Sequence, residues 1–191
     1  MKTPTADRIA ELAHEMIQIG GYGELHYGEI AQRLNVTRAA VHHYYPNKID
    51  LATRVIQDYC TWTEGQLASI MSNFSESERL KPYIGLYRSI IESGDQLLCP
   101  GGMLAAEAMV LPDPLRPEVR RFFDIHVRWA EQNLFNHDLT DAHAKAIQLV
   151  SGLQGALLLA RLYGSVQCFD TIAAGFIDRE ARMSSGAGTG T

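Results

Sequence analysis

The chain has 191 residues, 46% of them apolar, with a formal charge of −5 at pH 7. That content can bury a core, and no uncharged apolar run of about 18 residues exists, so no membrane-spanning helix is expected. Three cysteines, Cys60, Cys99 and Cys168, lie far apart with no C-x-x-C pair, which argues against a disulfide scaffold or a zinc site.

The start, MKTPTADRIAELAHEM, carries charges where a secretory leader needs an apolar run, so a cytoplasmic protein is expected. Charge is uneven. Residues 1–57 hold six Lys/Arg against six Asp/Glu and four of the seven histidines, and the remainder carries the whole −5. No Gly-rich phosphate loop, H-E-x-x-H or G-x-S-x-G pattern is present, so an enzyme is not expected. The polar group His137, Asp138, Asp141 and His143 could bind a metal, but Asp138 or Thr140 capping the next helix explains it more simply.

In chain order, residues 4–19 place Ile9, Leu12, Ala13, Met16 and Ile17 on one helical face, ended by Gly20-Gly21. Two short helical patterns follow, Gly28–Leu34 (Ile30, Ala31, Leu34 inward) and Arg38–Tyr45 (Val41, Tyr45 inward). Asn35 tolerates the left-handed conformation that ends the first, and Thr37 can cap the second. Pro46 stops it. This is a helix-turn-helix pattern, whose second helix enters a DNA major groove. The helix of residues 4–19 must supply its missing core side.

Asn47, with Asp50 three residues on, caps a long helix to about Met71 that serves as a physical connector. Helices are expected over Ser75–Glu92, Gly102–Leu111, Pro114–Asn136, Thr140–Tyr163 and about Val166–Arg182, with residues 184–191 as a disordered tail. The class is all-α, with about nine helices. The domains expected are 4–64, with its recognition region at 27–46, and 65–183.

Ala144 to Leu159 is apolar around most of its circumference, with small residues at Ser151, Gly152, Gly155 and Ala156. A twofold dimer interface on this helix and the next is expected, through Leu149, Leu153, Ala156, Leu157, Ala160, Ile172, Ala173 and Phe176. Residues able to line an interior between helices are Tyr59, Trp62, Tyr87, Ile91, Met103, Ala106, Met109, Phe122, Phe123, His126 and Trp129, with Glu107 as a second polar group. Such a pocket suits a small apolar or aromatic compound with one polar handle. Cys99 stands just before a helix start, where a thiol can be activated; this makes it an additional pocket residue and a candidate sensor of electrophiles or oxidants.

The pattern I-A-x-x-L-x-V-T-x-x-x-V-x-x-x-Y-P-N-K, preceded by one helix and followed by six, resembles the TetR family of transcriptional regulators. The resemblance is strong over residues 4–64; farther on it rests on CPGGMLAAE (Cys99–Glu107) and QGALLLARLYG (Gln154–Gly164). It implies a homodimer that binds a palindromic double-stranded DNA operator, usually as a repressor, and is released by a small-molecule inducer. No cofactor or metal is implied. Carried over residue by residue, Arg38 would read a guanine edge, and Ala39 and Ala40 would let the recognition helix approach closely. Thr37 would lead that helix in. His42, His43, Tyr44 and Lys48 would meet the sugar-phosphate backbone, as would His26 and Tyr27 from the preceding helix. The chain departs from the family at His26 (usually Ser or Thr), Asn35 and Ala39 (usually Gly), His42 (usually Tyr) and Tyr44-Tyr45 (often His-Phe). A dimeric helical module that binds protein instead of DNA is the other reading of the neutral N-terminal part.

Overall fold

The computed structural model describes residues 5–92, 98–135 and 141–186. Among them every regular element is helical, as the absence of strand alternation predicts. Nine α-helices run α1 Thr5–Gly20, α2 Tyr27–Leu34, α3 Arg38–Tyr44, α4 Lys48–Asn73, α5 Leu80–Glu92, α6 Pro100–Ala106, α7 Arg116–Asn133, α8 Ala142–Tyr163 and α9 Gln167–Gly186. Single 3-10 turns at Glu76–Glu78 and Asp113–Leu115 precede α5 and α7.

Several boundaries differ from expectation; α5, for one, begins at Leu80 and not Ser75, after the 3-10 turn at Glu76–Glu78. The short helix expected at Gly102–Leu111 begins two residues earlier, with Pro100 in its first turn, where proline costs no hydrogen bond. It ends at Ala106, so Glu107 to Val110 lie in turns. At the far end α9 continues to Gly186, so residues 184–186 are helical and not part of a tail. Residues 187–191, His137 and Asp138 lie outside the described residues.

The chain forms two compact units, divided differently from the expected 4–64 and 65–183. The first comprises residues 1–64 and 97–125, and the second residues 65–96 and 126–191. Residues 97–125 belong with the N-terminal helices because their apolar side chains complete that core.

The first unit buries Ile9, Ala13, Met16 and Ile17 of α1, Ile30 and Ala31 of α2, and Val41 of α3. Leu51, Val55 and Ile56 of α4 join them, with Leu104 of α6 and Leu115, Val119 and Phe122 from farther along. Each of these side chains larger than alanine contributes about 1.5–3 kcal/mol on burial. α6 packs on α1. Against α7 it approaches closely because Gly101 has no side chain: a Cβ there would lie 2.2 Å from the Phe122 ring.

The second unit packs α8 against α9 and α5. Leu149, Val150, Leu153, Ala156, Leu157 and Ala160 of α8, with Phe169 and Ala173 of α9, are buried within this chain. This corrects the expected dimer surface: Leu149, Leu153, Ala156, Leu157, Ala160 and Ala173 face their own core. The outward face carries Ile147, Leu158, Leu159, Leu162 and Tyr163, with Ile172 on α9 and Phe176 partly covered. Periodicity could not choose between the faces, because α8 is apolar on both. Its length and composition alone would suffice to cross a membrane, contrary to expectation, but one side is occupied by α5 and α9. Arg88 of α5 donates to Asp170 of α9 at 3.0 Å and also pairs with Glu92.

Candidate nucleic-acid interface

α2 and α3 form the paired helices, and their junction is built as the sequence requires. Asn35 takes φ 54°, ψ 47°, with its N–H bonded to the Gln32 carbonyl and that of Val36 to Ala31. Thr37 Oγ1 accepts from the Ala40 N–H at 3.1 Å and so opens α3. Asn47 Oδ1 accepts from the Asp50 N–H at 2.9 Å, starting α4. With Val41 and Tyr45 buried, the opposite side of α3 is fixed outward: Arg38, Ala39, His42, His43 and Tyr44 are exposed, and Ala40 is partly so.

The cations of α2, α3 and the start of α4 differ in what holds them. Arg33 makes two hydrogen bonds to the Glu15 carboxylate, at 2.7 and 2.9 Å, and lies near Glu29. Arg54 bridges Asp58 and Asp7. Arg38 has neither a hydrogen bond nor an ion pair with any described residue, so its guanidinium fork is available. Lys48 is intermediate: Nζ donates to the Gly23 carbonyl at 3.1 Å and lies 4.5 Å from the centre of the Tyr22 ring. An ammonium has three donors, so one bond does not exhaust it. Burial lowers its pKa, against the pull of Glu107 and Glu24.

One expected contact is corrected. Tyr27 does not point toward solvent: only 7% of its surface is exposed. Its hydroxyl lies 2.9 Å from the Tyr45 carbonyl and 2.6 Å from that of Asn47, ready to donate to either. It therefore ties the end of α3 to the start of α4, and its burial pushes its pKa up to about 12. His42 is exposed but packs its ring on Tyr27, centroids 4.7 Å apart, with Nδ1 3.3 Å from the Pro46 carbonyl. Its neighbour His43 stands edge-on to Tyr44. His26 occupies the residue before α2 without a side-chain cap, which leaves the imidazole exposed beside the unbonded amides of that helix. Gly28, the second residue of α2, has open space where a side chain would stand. Sequence reading passed over it, although a glycine in the first turn of a helix is the usual sign of close backbone approach.

Residues 9–55 match a family model for bacterial regulatory proteins of the tetR family. A TetR transcriptional regulator from Legionella pneumophila superposes with a TM-score of 0.88 at 28% identity, covering 93% of this chain and 97% of its own. A TetR-family transcriptional regulator from Agrobacterium tumefaciens gives 0.86 at 29% identity, covering 92% and 96%. The chain carries a TetR-type DNA-binding segment and, over most of its length, the fold of TetR-family regulators. It is a DNA-binding transcription regulator, and the paired helices α2 and α3 are its helix-turn-helix. The TetR regulatory protein of Rhodobacter sphaeroides, at 21% identity and a TM-score of 0.81 over 90% of this chain and 96% of its own, shares the fold. No curated protein matches the sequence.

The expected pocket residues fall into two groups, one per unit. In the first unit, Tyr59 stacks on Trp62 and on Phe122, with centroids 5.4 and 5.3 Å apart, and Phe122 meets Phe123 edge-on. Burial raises the Tyr59 pKa well above its ordinary value, helped by a bond with Cys99. Cys99 itself is only 2% exposed. Met103 is partly buried in α6. Trp62 is not interior as expected: 45% of it is exposed. Ala106, the last residue of α6, and Met109, in the turns after it, also lie on the surface. Glu107 is the clearest correction. Its carboxylate accepts the Tyr22 main-chain N–H at 2.6 Å and so belongs to the loop between α1 and α2.

In the second unit, His126 is buried, with Nδ1 3.0 Å from the Tyr83 hydroxyl and 3.2 Å from that of Tyr87. Burial lowers its pKa to about 3, so the ring is neutral. Trp129 stacks on Tyr83 at 5.1 Å, and its buried Nε1 has no hydrogen-bond partner. Ile91 is partly buried on α5. Tyr83, a buried residue of α5, has no counterpart among the expected pocket residues.

Proposed function

We propose that this regulator is a repressor that binds a palindromic operator as a homodimer and leaves it when a small molecule binds. The observation that carries the DNA half is the outward face of α3, where Arg38 is unpaired while Arg33 and Arg54 are each neutralised by carboxylates. An unpaired guanidinium at the start of a recognition helix suits the two acceptors of guanine in the major groove. His26, Thr37, His42, His43, Tyr44 and Lys48 would hold phosphates around it, and Ala39 and Ala40 would permit close approach.

Dimerisation is supported by the outward stripe Ile147, Leu158, Leu159, Leu162 and Tyr163 of α8, with Ile172. A stripe that apolar is costly to leave in water. The inducer reading is supported by the group Tyr83, Tyr87, His126 and Trp129, with an indole N–H that has no acceptor. A compound with an aromatic or apolar body and one acceptor atom fits that chemistry. The thiol-sensing reading draws no support from the position of Cys99, packed against Tyr59 and nearly inaccessible. A protein with these properties acts in the cytoplasm.

Fluorescence anisotropy with the promoter DNA beside its own gene tests the reading. Binding is expected to be salt-sensitive and saturable at two chains per site. No salt-sensitive binding at low ionic strength overturns it.

A further inference from the structure

We propose that Glu107 is a positioning residue for DNA binding, which holds the loop between α1 and α2 and thereby the ammonium of Lys48. The inference rests on the DNA-binding reading of the helix-turn-helix. Glu107 follows the last residue of α6, and Oε2 accepts the Tyr22 N–H at 2.6 Å across 85 positions of sequence. The loop is shaped around the carboxylate. Gly21 has φ +75°, and a Cβ there would stand 2.6 to 2.8 Å from three carboxylate atoms. A Cβ on Gly23 would also come within 3.7 Å of Oε1. A left-handed turn that presents a free main-chain N–H suits an anion, and here the Tyr22 N–H is met by a carboxylate of the same protein. A hydrogen bond to a carboxylate is roughly twice as strong as a neutral one.

Lys48 completes the group. Nζ donates to the Gly23 carbonyl and lies over the Tyr22 ring, so its position depends on the residue that donates to Glu107 and on the one after it. At the other end of the segment, the Leu98 N–H donates to the Gln18 carbonyl at 3.2 Å. Residues 98 and 107 are thus both bonded to the end of α1 and the loop after it. That loop leads directly into His26 and α2. Without the carboxylate, the Tyr22 amide loses its acceptor and Lys48 loses a fixed seat at the start of α4.

Operator affinity of the full-length protein is measured for Glu107→Ala, Glu107→Gln, Lys48→Ala and the Glu107→Ala/Lys48→Ala pair, each with its thermal midpoint. Glu107→Ala is expected to weaken binding about tenfold, and Glu107→Gln, which keeps an acceptor oxygen, by no more than about twofold. In the pair, Lys48→Ala is expected to add little, because the lysine is already unseated; a merely structural role would make the two losses add. Additive losses, or an unchanged affinity in Glu107→Ala, overturn the proposal. If Glu107→Ala does not fold, the Glu107→Gln/Lys48→Ala cycle and amide exchange in the wild-type protein decide. The Tyr22 amide should be protected although it lies in a loop, and exchange at the open-chain rate overturns the proposal. A wild-type protein that binds no promoter DNA defeats the DNA reading itself, and is told apart by that control.

Discussion

Arg33 is locked to Glu15 by two hydrogen bonds at 2.7 and 2.9 Å, which removes one of the few cations near the helix-turn-helix from service. The pair joins α2 to α1 at a half-exposed site, where such bridges contribute about 0–1 kcal/mol. Arg33→Ala should therefore cost little stability and leave base discrimination unchanged. Arg38→Ala should cost about 1–3 kcal/mol on the operator and little on random DNA. Anisotropy titrations with both duplexes check the contrast. Equal losses on the two would assign Arg38 to phosphate.

Tyr27 is expected to act on stability before it acts on DNA. Tyr27→Phe removes the donor that serves the Tyr45 and Asn47 carbonyls, at a cost of about 1–3 kcal/mol in chemical denaturation. Its pKa, pushed up to about 12 in the folded chain against an ordinary 10, favours the protonated phenol in the fold. The stabilisation is therefore complete below pH 10 and is lost as pH rises toward 12. Denaturation curves between pH 9 and 11.5 should fall less steeply for Tyr27→Phe than for the wild type.

His126 gives the opposite slope. Folded, its pKa is lowered to about 3 by burial, whereas the unfolded ring takes a proton near 6.5. Its contribution is present above pH 6.5 and declines as pH falls toward 3, by up to about 1.4 kcal/mol per pH unit. A His126→Phe variant, studied by urea denaturation at pH 7.5 and 5, should lose less on acidification than the wild type.

The two faces of α8 are separable by mutation. Leu153→Ala, in the core, should cost about 2–5 kcal/mol of stability. Leu162→Glu, at a position 75% exposed, should leave the fold intact and give a monomer by size exclusion with light scattering. A Leu162→Glu protein that stays dimeric would move the interface elsewhere.

Cys99 is expected to be inert. Replaced by serine, it should leave the response to aldehydes and quinones unchanged in a reporter strain. A lost response would revive the thiol-sensing reading.

The helix-turn-helix was legible from the sequence because each of its devices is local. Asn35 in a left-handed turn, Thr37 as cap and Asn47 with Asp50 are short-range bonds that follow from residue type and spacing. The dimer face was not legible, since α8 offers apolar side chains in every direction and only the positions of α5 and α9 decide which are covered. Nor was the role of Glu107. A glutamate after a short apolar helix looks like a polar group entering a pocket, and the Tyr22 amide it serves is 85 positions away. Tyr27 misled for a related reason: the family comparison supplies an exposed role, while the carbonyls that claim its hydroxyl belong to the next helix junction.

The contact between Gly101 and Phe122 constrains how this protein can diverge. Because the phenyl ring fills the space a Cβ would need, neither position can drift alone. A homologue that gains a side chain at 101 must shrink the residue at 122 or shift one helix against the other. Correlated substitution at these two sites, glycine with a large ring or alanine with a small aliphatic, is the trace such a contact leaves in a lineage.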